Sequence, residues 1–238
     1  VNGPTYVVDN PPNYSNYSMH FDATDDYITS GYTFPTGDAD KSFSLWFNLD
    51  SSHYAWLIAG GADTDSNAFG LFVNGTTLTF HGNGGSYDMA FAGTTFATGT
   101  WYHVAVTYDG TNIRGYVNGI LDTTKSAALV TSSATIRLGV RQNGSHFFDG
   151  FFDEVAVWNS VLTSAQINDI YNGGVPAALT SLSPIGWWRF GENNAGTGTT
   201  ITDQGSGSND GTLVSTPTFE RSVPAEDATW NNRSLTFA

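Results

Sequence analysis

The side chains with the chemical reach to bind or react in this chain are carboxylates, amides and aromatic rings, since it carries no cysteine and few amines. Asp63-Thr-Asp-Ser-Asn67 puts oxygen donors at alternate positions, as positions 1, 3 and 5 of a calcium loop do. Ala68 stands where such a loop has its turn glycine, and Asn74 where it has a bidentate glutamate, so this is not an EF-hand. Two readings of Asp63, Asp65 and Asn67 stay open: solvated loop carboxylates, or a rim calcium that bridges to sugar hydroxyls. Sugar recognition asks for an aromatic face beside amides and carboxylates, because pyranose faces are apolar while their rims carry hydroxyls. Tyr54, Trp56, Asn83, Tyr87, Asn143 and His146 lie at or near the ends of predicted strands and supply those groups. Trp46, Trp101 and Trp158 fall inside strand patterns and are assigned to the core.

Nucleophilic and zinc chemistry find no matching pattern. His20, His53, His81, His103 and His146 include no i, i+4 pair on a helix, and no Gly-x-Ser-x-Gly occurs. His103 sits inside a strand pattern and reads as a packed, hydrogen-bonded histidine rather than a base.

The elements that must carry these groups are strands. Residues 99–121 set the pattern: Val104, Val106 and Tyr108 alternate with His103, Ala105 and Thr107, the period-2 mark of a strand with one buried face. Turn residues at Asp109–Asn112 lead into Ile113–Val117, and Asn118-Gly119 turns the chain again, giving a three-stranded antiparallel meander. Further strands are predicted at Ser18–Ile28 (two, with an Asp-rich turn), Phe43–Leu49, Tyr54–Ala59, Phe69–Val73, Thr77–His81, Tyr87–Phe91, Ile136–Val140 and Phe147–Trp158. One helix is predicted over Ser164–Asn172, with Thr163 and Gln166 as a capping box, Leu162 and Ile167 as a hydrophobic staple, and Gly173 at its end. Residues 1–17, with three prolines, read as an extended arm.

Composition narrows the function classes. Twenty-two acidic against eight basic residues give a formal charge of −14, which repels nucleic acid and anionic membrane. Without cysteine there are no disulfides and no thiolate zinc sites. No apolar run approaches the roughly 18 residues of a membrane span, and no signal peptide is read at the start. The start at Val1 rather than Met fits a processed or trimmed product. The five Asn-x-Ser/Thr sequons (Asn13, Asn16, Asn74, Asn143, Asn232) are what a chain rich in Asn, Ser and Thr yields by chance.

The meander Trp101-Tyr-His-Val-Ala-Val-Thr-Tyr-Asp-Gly110 with Tyr116-Val-Asn-Gly119 resembles the central signature of laminin-G-like, concanavalin A-like lectin/glucanase domains. Phe21-Asp-Ala-Thr-Asp-Asp-Tyr-Ile28 and Asp153-Glu-Val-Ala-Val-Trp158 resemble two further motifs of that family, with Ala23 in place of a usual glycine. The resemblance implies an all-β, two-sheet antiparallel jelly-roll sandwich with one short helix, its body at residues 18–175. It also implies a structural calcium near Asp153, with Asp22, Asp25 and Asp26 as partners, as an alternative to plain turn capping by Asp22 and Asp153. The family's hydrolases use Glu-x-Asp-x-x-Glu, because retaining hydrolysis needs two carboxylates about 5 Å apart. None of Glu154, Glu192, Glu220 and Glu226 fits that pattern, so the chain is not expected to be an enzyme.

Residues 176–238 resemble the family's opening strands, yet here they come last: Gly186-Trp-Trp-Arg-Phe190, then Asp203 through Leu213. Residues 216–238 also echo residues 3–23, with Phe237 equivalent to Phe21. Either these strands close their own sandwich or they complete that of a neighbouring subunit. The expected function is a non-catalytic extracellular or virion-surface binding module for a glycan or cell-surface protein. The alternative is a purely structural virion or surface-layer component, for instance a capsid decoration or fibre protein.

Overall fold

The computed structural model describes residues 16–192 and 195–224. The expected N-terminal arm therefore lies outside the described residues, except for Asn16 and Tyr17. Among the described residues the strands in chain order are β1 (Ser18–Asp22), β2 (Tyr27–Thr33), β3 (Lys41–Leu49), β4 (Tyr54–Ala59), β5 (Gly70–Asn74), β6 (Thr77–His81), β7 (Met89–Ala90) and β8 (Trp101–Tyr108). They continue as β9 (Asn112–Val117), β10 (Ile120–Ser126), β11 (Thr135–Leu138), β12 (Asp149–Trp158), β13 (Gly186–Trp188), β14 (Thr200–Ile201), β15 (Gly211–Val214) and β16 (Thr218–Glu220). One α-helix, α1, spans Ser164–Tyr171 among the described residues.

The strands form two antiparallel sheets, a jelly-roll sandwich. The first runs β10-β9-β8-β3-β12-β1-β16, with β13 also on β12; the second runs β14-β15-β2-β11-β4-β5-β6-β7. Alternation decides what lies between them. Phe43, Leu45, Phe47 and Leu49 of β3, Val104 and Val106 of β8, and Ile58, Leu71, Val73 and Phe80 of the second sheet fill one continuous core. Each such side chain contributes about 1.5–3 kcal/mol by leaving water.

All nine residues of β3 are buried, because its other face is covered as well. There α1 packs through Ile167 and Ile170 with Tyr116, Trp158, Leu179 and Trp187, and Tyr171 stacks on Trp46 at 5.7 Å. The helix begins as its sequence dictates: Thr163 accepts from the Gln166 amide, and the Gln166 side chain accepts from the Thr163 amide. Asn172, in a left-handed conformation, ends it.

The long central strand β12 joins the ends of the chain. One of its edges takes β1 along Asp149–Phe152 and β13 along Val155–Val157. β15 pairs with β2, and β16 with β1. Gly150 makes the crowding on β12 possible: at φ +135°, a Cβ there would sit 2.1 Å from the Asn48 carbonyl oxygen. The strand expected at Tyr87–Phe91 shrinks to Met89–Ala90, because Asp88 is drawn into the preceding loop, where its carboxylate accepts from the amides of Gly82 and Asn83.

Candidate ligand-binding face

The outer face of the second sheet collects most of the aromatic and amide groups singled out from the sequence. On β4, β5 and β6, Ala55, Val73 and Leu78 point into the core. The alternate positions therefore point outward, and the register sets Tyr54 beside Asn74, Trp56 beside Phe72, and Phe72 beside Thr79. Tyr54 and Phe72 are partly exposed and meet edge to face at 5.3 Å. His146 closes on Tyr54 at 4.5 Å. Asn74 and His146 are exposed beside this ring pair, and Asn143 is exposed in the turn that carries His146.

A short turn fixes that rim. The Asn143 carboxamide oxygen accepts from the Ser145 amide at 3.1 Å and its hydroxyl at 2.6 Å. The Trp56 amide donates to the His146 carbonyl at 3.2 Å, and the Gln142 side chain donates to the carbonyls of Ala59 and Thr135. The turn is thus laced to both β4 and β11.

Trp56 needs correction as a contact residue. It is 1% exposed, since the Arg141 guanidinium lies 5.4 Å over its ring and His81 meets it edge-on at 4.5 Å. Arg141 is held by Asp63, whose carboxylate accepts from its Nε at 3.0 Å. His81 is buried between two carboxylates, 3.3 Å from Asp88 and 3.6 Å from Asp63. Trp56, His81 and Arg141 therefore form the support beneath the exposed rings. Asp63 serves this support instead of facing solvent as a free loop carboxylate.

Asp65 and Asn67 lie further along the same loop. The Asn67 amide group donates to the Asp65 carbonyl at 2.8 Å, the Ser66 amide donates to the Asn83 carbonyl, and the Asp65 carboxylate packs against Gly84. Residues missed from the sequence are Phe72, His81 and Arg141. Phe72 had a readable signal, since it alternates with Leu71 and Val73; the other two are brought in by tertiary structure alone.

The acidic turn between β1 and β2 gathers Asp22, Asp25 and Asp26, with one carboxylate oxygen of each within 4.8 Å of the others. Asp22 accepts from the Thr24 amide and Asp26 from the Thr216 amide, both at 2.9 Å. Burial pushes the Asp26 carboxyl upward, and the charges of Asp22 and Asp25 add to that. Hard carboxylate oxygens of this kind suit calcium. Asp153 is not part of this group. Asp22 pairs with Asp149, and Asp153 lies four residues further along β12, about 13 Å at 3.3 Å per residue. Its carboxylate is buried, accepts from the Glu154 amide at 2.8 Å, and faces Arg189.

His103 is fully buried, and burial lowers its pKa to about 3, which holds it neutral. It packs near Trp46 and Tyr171. Neither ring nitrogen has a hydrogen-bond partner, so the expected hydrogen bond is absent.

The family model for the concanavalin A-like lectin/glucanases superfamily matches residues 22–168. The chain belongs to that superfamily. The lectin-like sandwich is similar to that of a protein from Bacteroides ovatus described as carbohydrate-binding, at 20% identity and a TM-score of 0.67, covering 90% of this chain and 62% of that one. It is also similar to a heptameric SAP-like pentraxin from Limulus polyphemus, at 15% identity and a TM-score of 0.54, covering 66% and 82% of the two chains. Adhesion G-protein coupled receptor V1 of Danio rerio is 22% identical over 158 residues, which span 61% of this lectin-like chain and 2% of the receptor. The match to the family model stops short of β13 to β16.

Proposed function

We propose that this lectin-like domain is a non-catalytic extracellular module that binds a glycan on the Tyr54–Phe72 face. The observation that carries this reading is the partly exposed ring pair, flanked by Asn74 and His146, with exposed Asn143 in the same turn as His146, and backed by a Trp56–Arg141–Asp63 support. A sugar's apolar face lies on such rings while amides and imidazole reach its hydroxyls. The formal charge of −14 disfavours sulfated or uronic ligands, so the ligand is a neutral glycan. The carboxylates beneath the face are already engaged, Asp63 by Arg141 and Asp88 by the amides of Gly82 and Asn83, which leaves no acid–base pair poised there. The sandwich similarity to a protein described as carbohydrate-binding supports the class of ligand. Among the described residues no helix is long and apolar enough to cross a membrane.

Calcium is proposed as a structural ion at Asp22, Asp25 and Asp26, where it would offset the repulsion that adds to burial in raising the Asp26 carboxyl. A glycan array run with calcium and again with chelator tests both points. Neutral oligosaccharides should bind, and chelation should lower thermal stability while sparing the face. Absence of any glycan ligand, together with ordered self-assembly, would favour the purely structural role instead.

A further inference from the structure

We propose that residues 186–220 are an exchangeable segment that completes the sandwich of a second copy of this chain, so that copies join head to tail. The strand pair at the edge of the first sheet is encoded twice. Pro217-Thr-Phe219 and Ser234-Leu-Thr-Phe237 repeat Pro4-Thr-Tyr6 and Ser18-Met-His-Phe21. In β1, Met19 and Phe21 are fully buried, and Met19 faces Phe219 of β16. Leu235 and Phe237 repeat that apolar spacing in the sequence. Hydrophobic pattern is what fixes strand register and partner, so β16 carries no signal that singles out its own chain's β1.

The fastenings of the segment point the same way. Apart from the bonds of Ser206, Gly207 and Asn209 to Pro184 and Ile185 of the link, they join it to residues near the start of the chain or to β12. The Thr216 amide donates to Asp26, and the amides of Asn16 and Tyr17 donate to Glu192. Trp187 and Arg189 donate to Glu154. All would be made identically by a second copy, which is the condition for strand exchange. The link between α1 and β13 includes residues 175–185, with Pro176, Pro184 and one 3-10 turn at Thr180–Leu182; Leu179 is buried against α1 and the Leu182 carbonyl accepts from the Trp158 indole, so exchange has to release these two anchors. Extended, those eleven residues reach about 36 Å at roughly 3.3 Å each, far enough to cross to a neighbour. Because donor strand and acceptor edge are different surfaces, the contact is heterologous and propagates.

The chain has no cysteine, which makes the test clean. His20 faces Thr218 across β1 and β16, and opposed Cα atoms in antiparallel strands, about 4.5–5.5 Å apart, suit a disulfide. H20C and T218C single variants, refolded together and oxidised, should give a mixed covalent dimer, and the double variant should give a reducible ladder that lengthens with protein concentration. Sedimentation of the unmodified chain, which needs no substitution, should show species above the monomer that grow with concentration. A double variant that closes only on itself, or an unmodified chain that stays monomeric throughout, overturns the proposal.

Discussion

Glu154 is the latch between the sandwich body and β13, and its removal gives a large, well-defined loss. Its carboxylate is 4% exposed and accepts from the Trp187 indole at 2.6 Å and from Arg189 Nε at 2.8 Å; the Arg189 side chain is itself only 12% exposed. Glu154→Ala removes the carboxylate that accepts from the buried guanidinium and leaves Asp153 and Glu192 as the charges facing it. Breaking a buried pair from one side costs about 3–5 kcal/mol, out of a total stability of roughly 5–15 kcal/mol. At about 2–4 °C per kcal/mol for a chain of this size, the melting point falls by roughly 6–20 °C. Glu154→Gln keeps an acceptor for the Trp187 indole and should lose less. Combining Glu154→Gln with Arg189→Met removes the buried guanidinium as well and should recover part of the difference. Scanning calorimetry on the four proteins measures this. A Glu154→Ala variant within about 1 kcal/mol of the parent would refute the latch, since so small a loss is what an exposed ion pair gives.

Asp109 fixes the first turn of the meander. Burial opposes its ionisation, but the amides of Asn112 and Thr111 and the Arg114 guanidinium outweigh it and hold the pKa to about 2. A depressed carboxyl contributes stability that is present above about pH 4 and lost as pH falls toward 2. Screened by solvent, that is about 1–2 kcal/mol, and urea midpoints of Asp109→Asn should differ from the parent at pH 6 but converge with it near pH 2. Lys41 is fully buried, against Phe69 and Tyr108, and burial lowers its pKa to about 8 in spite of Asp38 and Asp40. Below pH 8 the folded state must hold a buried charge, so Lys41→Met should be neutral or stabilising at pH 7, with the advantage shrinking between pH 8 and 10.5; thermal melts across that range check it.

Much of the architecture was legible because one physical signal dominated. In Trp101–Tyr108 every second residue enters the core, and the turn residues on either side leave the chain no other continuation. The helix was legible from its capping box, a purely local device. What failed was tertiary. Trp56 sits at the end of a strand pattern, yet a turn some 85 residues later in sequence lays Arg141 over it. Asp153 carries the family's acidic motif, but an irregularity in register between Asp153 and Ala156 and the four-residue displacement from Asp149 keep it away from Asp22. Glu154, at φ +49° within that same irregularity, is turned to meet β13. Nothing in the local sequence announces such a bulge.

On the proposed glycan face, Tyr54 and Phe72 form the ligand contact while Trp56 and its partners only support them. Titration calorimetry tests this most directly, using a neutral oligosaccharide that the array identifies against the parent, Tyr54→Ala, Phe72→Ala and, as a distant control, Asp109→Asn. Ring stacking worth about 1–3 kcal/mol, as a buried aromatic face provides, predicts a loss of affinity of roughly 5- to 150-fold in each ring variant and none in the control. Binding that survives both ring substitutions unchanged would contradict the claim and move the site elsewhere on the sandwich.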